Sequence, residues 1–183
     1  DPIRASGFYS LPAQTAEFNA FVSPQMAGGG WDTPESGLEC LNMAMSSPWM
    51  HVGDVPPGFS QPVSDVYPLV VVWTDAPSHP LPFPNSLANP AYPTASEMPR
   101  TFAGLRAKWD DPLVIDQSHK QILFFGNPDI SSPDQGGFDS GWLTVKTWPK
   151  FAVGGSLTEA NTSMIEFLAT GIALNAKSLR ITQ

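Results

Sequence analysis

A single cysteine, Cys40, stands in 183 residues, so no intrachain disulfide is possible. It falls within an apolar helical pattern, where it reads as a small buried hydrophobe. A chain without disulfides is compatible with the cytoplasm and with compartments outside it. Basic residues are scarce too: 9 Lys and Arg face 17 Asp and Glu, for a net charge of −8. With no run of Lys or Arg, the chain lacks the footprint that binds nucleic acid or an anionic membrane surface. Nor does any stretch approach the roughly 18 apolar residues of a membrane span. No basic-then-apolar signal peptide opens the sequence.

Charged residues overall make up only 14%, well under the roughly 25% of an average soluble domain. The surface must therefore lean on neutral polar groups, Pro and Gly. The 20 prolines and 15 glycines predict long irregular connections, though not a disordered chain. Hydrophobic residues reach 42%, with 11 Phe and 6 Trp, enough for a sizeable core in one domain of this length.

The pattern along the chain alternates. Gly7–Leu11 (GFYSL) reads as a short strand and Thr15–Val22 as a short helix with Phe18, Phe21 and Val22 on one face. A glycine run at 28–30 precedes Trp31-Asp32-Thr33-Pro34-Glu35, which has the makings of a helix start. Thr33 suits the N-cap, Pro34 the first helical position, and Asp32 and Glu35 the positive end of the dipole. That helix should run to about Ser46, where Pro48 stops it. A polar, Pro-containing loop is expected over Ser47–Tyr67.

Pro68–Thr74 (PLVVVWT) is apolar without alternation, the signature of a parallel strand covered on both faces. The next 25 residues, Asp75–Pro99, hold seven prolines and read as a long loop. Helical spacing returns over Arg100–Trp109, and Gln121–Phe125 (QILFF) is a second buried strand. After a Gly, Pro and Asp-rich loop over Asn127–Gly141, Trp142–Phe151 fits helix, strand or one after the other. Ser156–Lys177 has a capping box in Ser156 and Glu159 and an apolar stripe, so a long helix is expected. Leu179–Thr182 suits a short terminal strand. This order predicts an α/β fold: a Rossmann-like open, mostly parallel sheet with helices on both faces and long Pro/Gly-rich loops.

In such sheets ligands bind beyond the carboxyl ends of the strands. Asp75 directly follows the strongest strand, and Thr33 begins a helix that could reach the same rim. Carboxylate and hydroxyl oxygens suit hard cations such as Mg²⁺ or Ca²⁺. Asp32, Ser78 and His79 are the further polar residues of this rim, each with an ordinary structural role open to it as well. Catalysis has little support. No Gly-x-Gly-x-x-Gly or phosphate loop follows a strand, there is no Gly-x-Ser-x-Gly elbow, and no His/Cys cluster has zinc spacing.

The segments Gly28–Glu35 (GGGWDTPE) and Val70–His79 (VVVWTDAPSH), in this order, resemble the helix entry and central strand end of bacterial von Willebrand factor A-type domains. The likeness extends from about Gly7 to Ala176. It implies a metal-ion-dependent adhesion site in which Thr33 and Asp75 supply two of three elements. The third, an Asp-x-Ser-x-Ser sequence after a first strand, is not present in the chain. The resemblance therefore implies residues 1–183 as one A-type domain lacking its N-terminal strand–helix–strand portion. Loss of that strand would leave unpaired backbone groups beside Val70–Thr74, each costing on the order of 1–3 kcal/mol if buried, and an apolar groove.

The implied function is non-catalytic protein binding or adhesion, with Mg²⁺ or Ca²⁺ held at an incomplete site. The alternative is a structural assembly subunit without a working metal site. Another protein, or a companion chain from the same precursor, would supply the missing strand. Membership of an oligomer or complex follows, and an extracytoplasmic setting is favoured.

Overall fold

A computed structural model describes residues 6–25, 36–79, 81, 98–127, 129 and 141–155. Three parallel strands form its sheet in the order β1 (Leu69–Trp73), β2 (Gln121–Phe125) and β3 (Phe151–Gly155). Val70 pairs with Ile122, Val72 with Phe124, and Ile122 with Phe151. Parallel neighbours need crossovers. These contain α3 (Phe102–Trp109) between β1 and β2, and α4 (Gly141–Val145) between β2 and β3. Helix α2 (Gly37–Met45) precedes β1, and α1 (Thr15–Val22) comes before it. The arrangement is α/β. Among the described residues no helix is long and apolar enough to cross a membrane.

Strand geometry sends alternate side chains to opposite faces. Val70, Val72, Ile122, Phe124 and Phe151 share one face, and α2, α3 and α4 all pack there. Helix α2 brings Leu38, Leu41 and Met45, spaced to lie in one stripe. Helix α3 adds Leu105 and Trp109, and α4 adds Trp142 and Val145. The Trp142 ring meets Phe124 edge-on at 5.1 Å. Burying each such side chain contributes about 1.5–3 kcal/mol, so this layer is the main source of stability.

The helices are tied by polar contacts at their edges. Thr101 caps α3 by accepting from the Gly104 N–H at 3.1 Å. Lys108 reaches from α3 to α2, donating to Asn42 Oδ1 at 2.8 Å. At the C-terminal end of α3, buried Lys120 lies over the Trp109 ring and donates to the Trp109 carbonyl, Gln117 and Asp110. A cation at a helix C-terminus meets the negative end of the dipole. Desolvation of Lys120 outweighs its attraction to Asp110 and lowers its pKa. Burial also tends to raise the Asp110 carboxyl, but hydrogen bonds from Arg106 and Lys120, together with their charges, leave it below the usual aspartate range.

Several expectations need correction. Gly7–Ser10 forms no strand; Leu11–Gln14 is a turn closed by the Gln14 N–H on the Ser10 carbonyl. The aromatic residues there make edge-to-face contacts instead, Tyr9 with Phe18 and Phe8 with Trp49. Helix α2 begins at Gly37 after a non-helical Ser36, later than a start capped by Thr33. Cys40 is exposed on α2 rather than buried, because the buried stripe runs through Leu38, Leu41 and Met45. Trp142–Phe151 resolves into α4, a turn and the first residue of β3. The expected helix over 156–177 and the strand over 179–182 lie outside the described residues, so the described helices α2 to α4 cover one face only.

Candidate functional site

The loop after β1 is built to stay in place. Thr74 continues the ladder, donating its N–H to the Phe125 carbonyl at 3.1 Å. Its hydroxyl also turns the chain by accepting from the Ala76 N–H at 3.1 Å. Opposite it, Gly126 has φ +140°, and a Cβ there would stand 2.1 Å from the Thr74 carbonyl oxygen. Only glycine permits both that backbone and that approach.

Ser78 is fully buried, and its hydroxyl accepts from the Leu38 N–H at 3.0 Å. It thus caps α2 from a residue 40 positions away, where Ser36 at the N-cap offers no side-chain cap. The Ser78 carbonyl accepts from the Gly141 N–H at 2.9 Å, which fixes the start of α4. Space at this junction is minimal. A Cβ on Gly37 would fall 2.4 Å from Trp142 Cζ2, and one on Gly141 would fall 2.7 Å from the His79 carbonyl oxygen. His79 is 6% exposed.

Of the residues expected at the rim, Asp32 and Thr33 lie outside the described residues. Ser78 and His79 come together with the starts of α2 and α4, in a buried and structural setting. Asp75 is exposed at the carboxyl end of β1; it makes no hydrogen bond or ion pair among the described residues. No three His, Cys, Asp or Glu side chains among the described residues gather closely enough to hold a metal ion. The oxygens in view at the rim amount to one open carboxylate, Asp75, and the committed hydroxyls of Thr74 and Ser78, which is not a cation site by itself.

A different feature lies next to Asp75. The Gln121 N–H donates to the Pro68 carbonyl, and the Thr74 N–H to Phe125. In a parallel ladder the residues bonded to one neighbour alternate, so Pro68, Val70, Val72 and Thr74 face β2. Leu69, Val71 and Trp73 therefore direct their N–H and C=O groups to the other edge. Among the described residues no strand pairs there. The side chains of the same residues lie on the sheet face away from α2, α3 and α4. Val71 is 41% exposed and Trp73 46%, although Leu123 and Phe125 beside them on that face are fully buried. Burial on both faces was expected for β1; the second face is open along this edge.

The far end of the strand is internally satisfied. Tyr67 stacks on His119 at 4.4 Å and donates its hydroxyl to Asp65 at 3.0 Å. His119 Nε2 lies 3.3 Å from the same carboxylate. Desolvation and then Asp65 push the Tyr67 phenol above its usual pKa. His119, which carries no motif in the sequence, finds its partners through the α3–β2 connection alone.

Comparison with protein-family models, with curated proteins and with solved structures returns no match.

Proposed function

We propose that this chain is a non-catalytic protein-binding subunit of von Willebrand A type, which works by taking a strand from another protein or a companion chain onto the outer edge of β1. The observation that carries this reading is the coincidence, in Val71 and Trp73, of outward backbone groups and open apolar side chains. Added strands gain affinity from main-chain hydrogen bonds and specificity from alternate side chains. Edges left open usually carry lysine, proline or a bulge as protection, and Leu69–Trp73 carries none of these. Sheet completion needs no cation. Mg²⁺ or Ca²⁺ held by Asp75 and Thr33 would add a contact at one end of the same edge.

Amide hydrogen exchange tests the reading. In the isolated chain the Val71 and Trp73 amides should exchange much faster than those of Val70 and Val72. A synthetic Val/Ile/Thr peptide as long as β1, at millimolar concentration, should slow them, and Val71→Lys should abolish that effect. Slowing that survives a chelator and Asp75→Ala supports sheet completion without metal; slowing lost under both supports the metal-assisted form. Edge amides already protected in the monomeric chain, or untouched by the peptide, would overturn both.

A further inference from the structure

Resting on the reading of β1 as a strand-accepting edge, we infer that the strand it takes is uncharged along its length and carries Lys or Arg where it passes Asp75. It comes from a chain other than a second copy of this one. From Pro68 to Thr74 the edge has no charged residue. Apolar side chains on the incoming strand beside Val71 and Trp73 would cover that exposed apolar surface, which charged ones would leave largely in water. At the carboxyl end the situation reverses. Asp75 is exposed and has no hydrogen bond or ion pair among the described residues.

The other acids described near the strand ends have partners. Asp129, beyond β2, accepts from Lys146 at 2.6 and 2.8 Å. Asp65, before β1, is held by Tyr67 and His119. Among the described residues, Asp75 is therefore the acid at this edge that has no hydrogen bond or ion pair, and it stands at one end.

A second copy answers that charge badly. Two identical edges related by a two-fold axis pair antiparallel, which sets each Asp75 against the start of the other β1. The residues before it, Ser60–Pro68, include Asp65 and no Lys or Arg. Two chains of net charge −8 also repel as they approach. A basic-flanked apolar strand from a different chain meets both conditions, and the charge pair adds orientation and speed of association more than raw affinity.

The test uses three synthetic strand peptides against the whole chain: lysines after the apolar run, lysines before it, and aspartates at both ends. Binding is read by slowing of Val71 and Trp73 amide exchange. One lysine peptide should bind about fivefold tighter than the aspartate peptide at low salt, and the gap should close at about 0.5 M salt. The gap should also close in Asp75→Asn. The lysine position that wins reports the direction of the added strand. No gap in the natural chain, or a gap that persists in Asp75→Asn, overturns the charge assignment. A dimer in sedimentation equilibrium that Val71→Lys dissociates overturns the exclusion of a second copy. If none of the peptides slows exchange, the strand-accepting edge itself fails, and this inference with it.

Discussion

Val70 and Val71 are the same residue type, adjacent in one strand, and differ in which way they face. Val70 is 7% exposed within the main core, and Val71 is 41% exposed on the open face. Replacing either by alanine removes the same two methyl groups and lowers β propensity by a similar amount. Those contributions cancel in the comparison. At Val70 the lost transfer energy of about 0.8 kcal/mol per carbon, plus a cavity among Ile122, Phe124 and the helices, predicts a loss of about 2–3 kcal/mol. At Val71 much of the side chain is already in water and no cavity can close around it, so the loss should be about 1 kcal/mol or less. Urea denaturation followed by tryptophan fluorescence measures both, with m-values checked for a common transition. Equal losses for Val70→Ala and Val71→Ala would mean that the second face of β1 is covered in solution, and the open edge would fall with it.

Ser78→Ala should cost about 1–3 kcal/mol, because it leaves the buried Leu38 N–H without its acceptor at the start of α2; thermal unfolding reads this directly, and a change within error would show that α2 does not depend on that cap. Asp110 has a folded-state pKa below its unfolded value. Its stabilising contribution is therefore present above the unfolded value and lost as pH falls through the folded one. Asp110→Asn should flatten the decline of the unfolding midpoint between about pH 5 and 2, and an unchanged slope would remove Asp110 from the acid response.

Much of the layered core was legible because its periodicities are strong. QILFF became β2 without a shift, and the helical spacing through Phe102, Leu105 and Trp109 became α3. The start of α2 was misplaced because Thr33, Pro34 and Glu35 suit an N-cap, a first helical position and the helix dipole, whereas the cap on α2 comes from Ser78 across the chain. Long-range hydrogen bonds of this kind leave no trace in local spacing. The exposure of Cys40 also escaped, since Leu38, Leu41 and Met45 already complete the stripe and nothing in the residue itself says on which side it falls. For β1, five consecutive apolar residues cannot report whether a neighbour exists on each side. Only the ladder phase set by Pro68 and Thr74 separates Val70 and Val72 from Leu69, Val71 and Trp73. Asp75 was placed at a strand end by its position after PLVVVWT; the buried setting of Ser78 and His79 has no counterpart in the sequence pattern.

The junction at Ser78 has a mechanical consequence. Three stretches of chain meet there: the loop from Thr74 to His79, the first turn of α2 and the first turn of α4. They are fastened by two backbone N–H groups and by glycines whose missing Cβ atoms leave no slack. Packing this tight does not deform by degrees. A pull on the loop at Asp75 cannot be absorbed locally, so the loop and both helix ends shift as one rigid piece or stay still. The rim of the sheet and the helical layer behind it share a single pivot.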